Sequence, residues 1–161
     1  MPANYNIEMQ MVATLDQPIL IVEDSDEDFE AVGRMLRKSS VSNPIFRCTD
    51  GDDAIDFLYR KGVYADPQKA PRPALILLDL NLPGTDGREV VEQIKHDEDL
   101  KIIPVIVFTT SANPKDVEVC YKNGVNSYII KPIDLNQFLE LMRVVIDYWF
   151  KAIILPNKTK R

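Results

Sequence analysis

The segment ALILLD at residues 74–79 decides the fold, because five consecutive apolar residues lead directly into an aspartate. A continuous apolar run of this length predicts a strand that is buried on both faces of a sheet. Similar runs at 19–22, 104–108 and 127–130 predict three further buried strands. A shorter, alternating run at 45–49 predicts one more strand.

Helix signals separate these strands along the chain. Ser25 precedes three acidic residues and has the pattern of a helix N-cap, and Pro114 stands where proline is favoured in the first turn of a helix. Gly124 is typical of the residue that follows a helix, and Asp134 opens a long last helix. Five strands and five helices in strict alternation predict an α/β fold, in which a doubly wound, five-stranded parallel sheet carries helices on both faces.

The composition is that of one acidic globular domain. The chain has 161 residues and a formal net charge of −6, and 45% of its residues are hydrophobic. We expect one domain at 18–150, a flexible segment at 1–17 and a C-terminal extension at 151–161. The excess of acidic residues argues against direct binding to nucleic acid, because the phosphate backbone carries the same charge.

The sequence shows neither a signal-peptide pattern nor a membrane span. Its most apolar long stretch, 138–155, is interrupted by four charged residues, so we expect no membrane association. The two cysteines, Cys48 and Cys120, have neither a zinc-binding spacing nor the pattern of a disulfide framework. These features predict a cytoplasmic protein.

Polar residues follow four of the predicted strands at the point where each apolar run ends. They are Glu23 with Asp24, Asp79, Thr109 and Lys131. In an open parallel sheet these side chains converge at the carboxyl edge, where ligands bind. Three crowded carboxylates stay ionised together only beside a cation, and their oxygen atoms are ligands that suit Mg²⁺.

Two of these residues extend the predicted metal site into a site for a phosphoryl group. Lys131 supplies a fixed positive charge, and the Thr109 hydroxyl can donate a hydrogen bond to an incoming oxyanion. A metal ion, a cation and a donor around one carboxylate are the groups that let this carboxylate act as a nucleophile toward phosphorus.

Four segments of the chain resemble the receiver domain of two-component response regulators. In chain order they read ILIVEDSDED, ALILLDLNLPGTDG, IPVIVFTTS and SYIIKPID. The resemblance runs from about Pro18 to Val145 and implies the flavodoxin-like receiver fold. The chain is most similar to stand-alone regulators that partner cyanobacterial phytochromes, because of the long loop at 61–73, the DLNLP motif and an apolar tail after the last helix.

The resemblance implies a role for each acidic residue. Asp79 is expected to receive the phosphoryl group from a histidine kinase and to share in binding Mg²⁺. Asp24 is expected to bind the metal directly, and Glu23 to act through a metal-bound water. The backbone carbonyl of Asn81 is expected to be a further protein ligand.

The resemblance also implies which residues respond to the phosphoryl group. Lys131 is expected to pair with it, and Thr109 is expected to be the switch hydroxyl that moves toward it. Tyr128 matches the aromatic residue whose position changes on phosphorylation. The peptide bond between Lys131 and Pro132 is expected to be cis.

These roles predict a phosphorylation-controlled binding switch and not an enzyme, since the only chemistry is self-phosphorylation and self-dephosphorylation of Asp79. The expected partners are a sensor histidine kinase, which the narrower resemblance identifies as a phytochrome, and an unknown downstream target. Two alternatives remain open. One is a degenerate receiver that acts as a dimerisation scaffold. The other is a Mg²⁺-dependent aspartyl-phosphate hydrolase, which needs a second aspartate where this chain has Asn81.

The last helix and the extension predict a homodimer. Between 138 and 151 four charged residues occupy one narrow sector of the helix, and the remaining surface is apolar. An apolar arc wider than one sheet can cover indicates a second copy of the chain as partner. The alternative is that the extension folds back over its own domain.

Overall fold

A five-stranded parallel sheet organises the computed structural model, which describes residues 17–156. The order across the sheet is β2-β1-β3-β4-β5, and every neighbouring pair is parallel. The predicted α/β fold is therefore confirmed. The strands are β1 (Ile19–Val22), β2 (Ile45–Cys48), β3 (Leu75–Leu78), β4 (Val105–Thr109) and β5 (Ser127–Ile130).

An α-helix follows each strand. These helices are α1 (Asp26–Lys38), α2 (Gly51–Tyr59), α3 (Gly87–His96), α4 (Pro114–Asn123) and α5 (Leu135–Asp147). Short 3₁₀ helices at Gly62–Tyr64 and Leu100–Ile102 lie in the connections that precede β3 and β4, and a π-helical turn at Tyr148–Ala152 follows α5. Among residues 17–156, no helix is long and apolar enough to cross a membrane.

The capping residues explain where the helices begin. A side chain at each N-cap accepts a hydrogen bond from a backbone N–H in the first turn, which satisfies one of the donors that a helix start leaves unpaired. The N-caps of the five helices are Ser25, Asp50, Asp86, Asn113 and Asp134.

The two faces of the sheet bury two separate cores. Leu20 and Ile76 point to one face, where α2, α3 and α4 cover them. Ile21 and Leu77 point to the other face, which α1 and α5 cover. Because alternate side chains of one strand serve different cores, every position in the strand must be apolar, and this requirement produces the continuous apolar runs.

The C-terminal extension partly folds back onto its own domain. Leu155 is only 3% exposed and belongs to the core between the sheet, α1 and α5. Trp149, half-buried, packs against the same core, and its ring lies edge-on to that of Tyr148 at 5.3 Å between centroids. The Gln17 side-chain amide donates a hydrogen bond to the Pro156 carbonyl at 3.1 Å.

The fold-back differs from the prediction that the last helix continues with one apolar surface into the extension. The α-helical hydrogen bonding of α5 ends at Asp147, and the following π-helical turn changes the direction in which the later side chains point. The expected flexible segment at 1–17 lies outside the described residues except for Gln17, and the last five residues of the extension lie outside them as well.

Candidate functional site

Three carboxylates meet at the carboxyl edge of the sheet. Glu23 and Asp24 follow β1, and Asp79 follows the neighbouring strand β3, whose register pairs Val22 with Leu78. One oxygen atom of each carboxylate lies within 4.8 Å of the others. Glu23 and Asp79 are buried and Asp24 is exposed, so the cluster opens to solvent on one side.

The donor set of this cluster fits a hard divalent cation. Oxygen atoms from carboxylates are the ligands that such a cation prefers, and the open side leaves room for water molecules or a phosphate oxygen. Burial raises the pKa of Glu23 to about 7, although the hydrogen bond and charge of Lys131 act in the opposite direction. A second cation beside these carboxylates would therefore favour their ionised forms.

Lys131 lies at the centre of the acidic groups. Its buried ammonium donates hydrogen bonds to Glu23 Oε2 at 2.6 Å, to Asp79 Oδ2 at 2.9 Å and to Asp28 Oδ2 at 2.8 Å. Burial lowers the pKa of Lys131, but the three hydrogen bonds outweigh burial, so that the net pKa lies above its usual value. Lys131 is thus a permanently charged partner of the carboxylates.

The expected cis bond before Pro132 is wrong, because the described residues contain no cis peptide bond. A trans bond is favoured by about 0.5–1 kcal/mol even before proline. From this backbone geometry the Lys131 ammonium still reaches the carboxylates of Glu23, Asp28 and Asp79.

The loop that carries Glu23 and Asp24 is held by hydrogen bonds from within the loop and from β2. The Ser25 backbone N–H donates to Glu23 Oε1 at 3.1 Å, and Arg47 Nε on β2 donates to the Glu23 carbonyl at 3.1 Å. Arg47 also pairs with Asp26 in the first turn of α1 at 2.8 Å. These contacts fix the Glu23 side chain and the backbone of the loop between β1 and α1.

Thr109 and Asn81 form a polar group beside Asp79. The Asn81 side-chain amide lies 3.4 Å from Thr109 Oγ1 and 3.3 Å from Thr110 Oγ1, and the Thr109 side chain is fully buried. The Asn81 backbone N–H donates to Asp79 Oδ1 at 3.1 Å, which orients the carboxylate. The role of the Asn81 carbonyl as a metal ligand stays a prediction.

Tyr128 reaches the loop that follows β4. Its hydroxyl donates to the Ser111 carbonyl at 2.8 Å, and its half-buried ring packs against the core beneath α2, α3 and α4. Burial raises the pKa of this phenol, so it is a neutral donor at physiological pH. The structure therefore connects Tyr128 to the loop two residues beyond Thr109.

Asp28 and Arg88 are polar residues that the sequence analysis did not single out. Asp28 has the pattern of an ordinary acid in the first turn of a helix, where negative charge is favourable, and only its contact with Lys131 distinguishes it. Arg88 pairs with Asp116 through two hydrogen bonds of 2.7 and 2.8 Å and joins α3 to α4. No signal local to the sequence indicates either contact, since both partners are distant along the chain.

Comparison with known proteins places the chain in a family. Residues 19–143 match the model of the response regulator receiver domain, and the chain belongs to this family. Response regulator Rcp1 of Synechocystis sp. is 42% identical over 138 residues, which cover 86% of this chain and 92% of Rcp1. The probable methanogenesis regulatory protein FilR2 of Methanothrix harundinacea is 34% identical over 148 residues, which cover 91% of this chain and 93% of FilR2.

Solved structures agree with this assignment. The Mn²⁺-bound form of Rcp1 superposes with a TM-score of 0.83 at 41% identity, covering 88% of this chain and 99% of that one. The phosphorylated cyanobacterial phytochrome response regulator RcpA gives 0.82 at 39% identity, with the same coverage. The chain is therefore a receiver-domain response regulator, homologous to response regulators of phytochrome signalling, and the narrower resemblance noted in the sequence is confirmed.

Proposed function

We propose that this chain accepts a phosphoryl group on Asp79 from a histidine kinase, with Mg²⁺ as cofactor. One observation supports this most directly: Asp79 lies in the cluster with Glu23 and Asp24 while Lys131 Nζ lies 2.9 Å from its Oδ2. Carboxylates for a cation and a fixed positive charge thus surround one potential nucleophile. Mg²⁺, when bound, neutralises the charge that develops on the phosphoryl oxygens.

In the transfer step an oxygen of Asp79 attacks the phosphorus atom of a phosphohistidine. The P–N bond breaks, its electron pair stays on the imidazole, and the imidazole takes up a proton from solvent. Lys131 donates a hydrogen bond to a phosphoryl oxygen, and the Thr109 hydroxyl turns toward another. Asp79 is oriented for the attack by the Asn81 backbone N–H.

The proposed output is a change in surface shape. A phosphoryl group adds about two negative charges at the carboxyl edge. When Thr109 moves toward it, the loop at Ser111 and the bonded Tyr128 hydroxyl move together. The affected surface consists of α4, β5 and α5, and a downstream target reads it.

The kinase we propose is a phytochrome. Support comes from RcpA, whose structure is described as that of a cyanobacterial phytochrome response regulator. We also propose that the chemistry at Asp79 serves only self-phosphorylation and self-dephosphorylation, because Asn81 stands where an aspartyl-phosphate hydrolase needs a second aspartate. The complete set of phosphorylation residues argues against a receiver that is merely a scaffold.

We further propose a homodimer through α5 and the extension. Leu155 is covered by its own domain, but Val144 and Tyr148 are each 53% exposed and Ile154 is 65% exposed. They leave apolar surface on the outer side of α5 and its extension. A symmetric pair would cover this surface with the same residues from a second chain.

Phosphorylation of Asp79 is tested by intact-mass spectrometry. Incubation with millimolar MgCl₂ and acetyl phosphate is expected to add the mass of one phosphoryl group to the wild type. Asp79→Asn should stay unlabelled, because the amide is not a nucleophile. Asp66→Asn, which changes an exposed aspartate in the loop before β3, is the matched control and should be labelled like the wild type. Equal labelling of Asp79→Asn would refute the assignment.

A further inference from the structure

The loop at 80–86, between β3 and α3, carries Asn81, whose backbone carbonyl is a predicted ligand of the metal ion. Both ends of this loop meet at the Leu80 carbonyl, which accepts hydrogen bonds from the N–H of Leu82 at 3.1 Å and of Gly87 at 2.9 Å. The Leu82 N–H lies in the same peptide plane as the Asn81 carbonyl, so its hydrogen bond also fixes the direction of that carbonyl. Asn81 itself is exposed, and the position of its backbone therefore depends on how the loop is held.

The outer part of this loop is fastened to the start of α2. The Gly51 N–H donates a hydrogen bond to the Pro83 carbonyl at 3.2 Å, and the Thr85 hydroxyl donates one to Asp52 Oδ1. A Cβ atom at Gly51 would overlap the Thr85 carbonyl oxygen, so the two backbones lie in contact. The loop is thus held by α2 as well as by its own ends.

The hydrogen bond between Thr85 and Asp52 joins two elements that are 33 residues apart in the chain. Both side chains lie at the surface, and neither belongs to the carboxylate cluster. Their contact therefore supplies no ligand to a metal ion and acts only on the position of the loop. A ligand atom on a loop that is already ordered binds more tightly, because less conformational freedom is lost on binding.

We propose that Thr85 and Asp52 are positioning residues, which hold the loop at 80–86 so that the Asn81 carbonyl is preorganised as a ligand of the metal ion. This inference rests on the proposed function, because it requires a divalent cation in the carboxylate cluster. It assigns part of the affinity for that cation to a contact with α2 that lies outside the site.

The test measures how tightly the full chain binds Mn²⁺, with free Mn²⁺ followed by electron paramagnetic resonance during titration with MnCl₂. Thr85→Val removes the hydroxyl and keeps the shape and charge of the residue. We expect its dissociation constant to rise about three- to tenfold, the effect of losing one hydrogen bond. Thr85→Ser keeps the hydroxyl and should bind Mn²⁺ as tightly as the wild type.

A double variant identifies Asp52 as the partner. In an Asp52→Ala protein the acceptor is already absent, so adding Thr85→Val should change the dissociation constant by less than about twofold. Comparing the effect of Thr85→Val in the two backgrounds cancels the effect of the charge that Asp52→Ala removes.

Tyr64→Phe is the matched control. The Tyr64 hydroxyl donates to Asp53 Oδ1 at 2.9 Å, so this variant also removes a hydrogen bond to the first turn of α2, but one that does not involve the loop at 80–86. It should unfold at a lower urea concentration than the wild type and bind Mn²⁺ equally well. Urea unfolding also verifies that every other variant is folded.

The outcomes separate this inference from the proposed function. If the wild type does not bind Mn²⁺, the proposed metal site fails, and the proposed function with it. If the wild type binds Mn²⁺ and Thr85→Val binds it as tightly or more tightly, only the role of Thr85 and Asp52 is overturned. The same holds if Thr85→Ser or Tyr64→Phe binds as weakly as Thr85→Val, or if the effect of Thr85→Val is undiminished in Asp52→Ala.

Discussion

A single side chain, Arg88, connects α3 and α4 next to the loop that follows β4. Its guanidinium forms a two-pronged pair with Asp116 on α4 and also contacts Asp86, the N-cap of α3. The Ser111 hydroxyl donates to the same Asp116 carboxylate at 2.6 Å. Because the Ser111 carbonyl also accepts a hydrogen bond from the Tyr128 hydroxyl, the Asp116 carboxylate belongs to a network that connects α3, the loop after β4 and Tyr128.

Replacing Asp116 by Asn is expected to lower the free energy of unfolding by about 1 kcal/mol at neutral pH. The hydrogen bonds from Arg88 and Ser111 hold the pKa of Asp116 at about 2, below the ordinary 3.8. A depressed carboxylate pKa stabilises the fold above the unfolded value and loses this contribution as the pH falls through the folded value. The difference from the wild type should therefore be full above pH 5 and shrink from pH 4 toward pH 2.

Urea unfolding at several pH values measures this difference. Glu118→Gln on the same helix is the control, since its exposed pair with Lys122 contributes less. A difference between Asp116→Asn and the wild type that does not change with pH would show that the carboxylate charge is not its source.

The residues of the candidate site could be selected from the sequence because each lies at the carboxyl end of a strand or within two residues of it. Glu23, Asp24, Asp79, Thr109 and Lys131 lie at the end of an apolar run, and the parallel sheet brings such ends together. Asp28 and Asp116 lie on helices instead, where a charged residue most often faces solvent. Only the three-dimensional packing reveals that Asp28 faces the buried Lys131 and that Asp116 faces Arg88 on α3.

Among the connecting elements, the turn between Asp79 and α3 is packed closely against the start of α3. A Cβ atom at Gly87 would lie 2.4 Å from the Asp79 carbonyl oxygen and 2.5 Å from Leu80 Cα. The Gly87 N–H donates to the Leu80 carbonyl at 2.9 Å, so the backbone cannot simply move away. The absence of a side chain at Gly87 therefore lets the start of α3 lie against the residue that we propose is phosphorylated.

Gly87→Ala is expected to reduce the free energy of unfolding by about 1–3 kcal/mol, because backbone atoms must move to admit the methyl group. Gly33→Ala in α1 is the matched control, since its new Cβ would meet only the flexible end of Arg37 at 3.2 Å. That change should be neutral or stabilising by up to about 1 kcal/mol, the difference in helix propensity. Urea unfolding measures both, and a Gly87→Ala protein as stable as the wild type would contradict the close approach.

Helical periodicity does not predict the course of the chain after α5. Counting 100° per residue treats α5 and the extension as one straight rod and places all their apolar residues on one wide arc. The π-helical turn at Tyr148–Ala152 breaks this count, and Leu155 returns to the core. A change from α-helical to π-helical hydrogen bonding has no clear signature in the spacing of apolar residues. The sequence could therefore offer the fold-back of the extension only as an alternative to the dimer.

For the molecule as a whole, the proposed dimer predicts that the particle in solution has the mass of two chains. Light scattering at tens of micromolar is expected to give twice the mass of the chain. Tyr148→Asp should give a monomer, because it places a charge within the remaining apolar surface. Ile102→Glu, an exposed apolar residue outside α5, is the control and should remain dimeric. A monomeric wild type, phosphorylated or not, would rule out the dimer.

Trp149 is a natural fluorescent probe of the end of α5. It is the single tryptophan of the chain, and it lies in the π-helical turn after α5, a few residues before Pro156, whose carbonyl accepts a hydrogen bond from Gln17, just before β1. Its emission reports on the half-buried indole and the adjacent Tyr148 ring and is not sensitive to chemistry at Asp79 by direct contact. A change in the tryptophan emission on phosphorylation would thus be an optical record of movement that reaches the turn after α5.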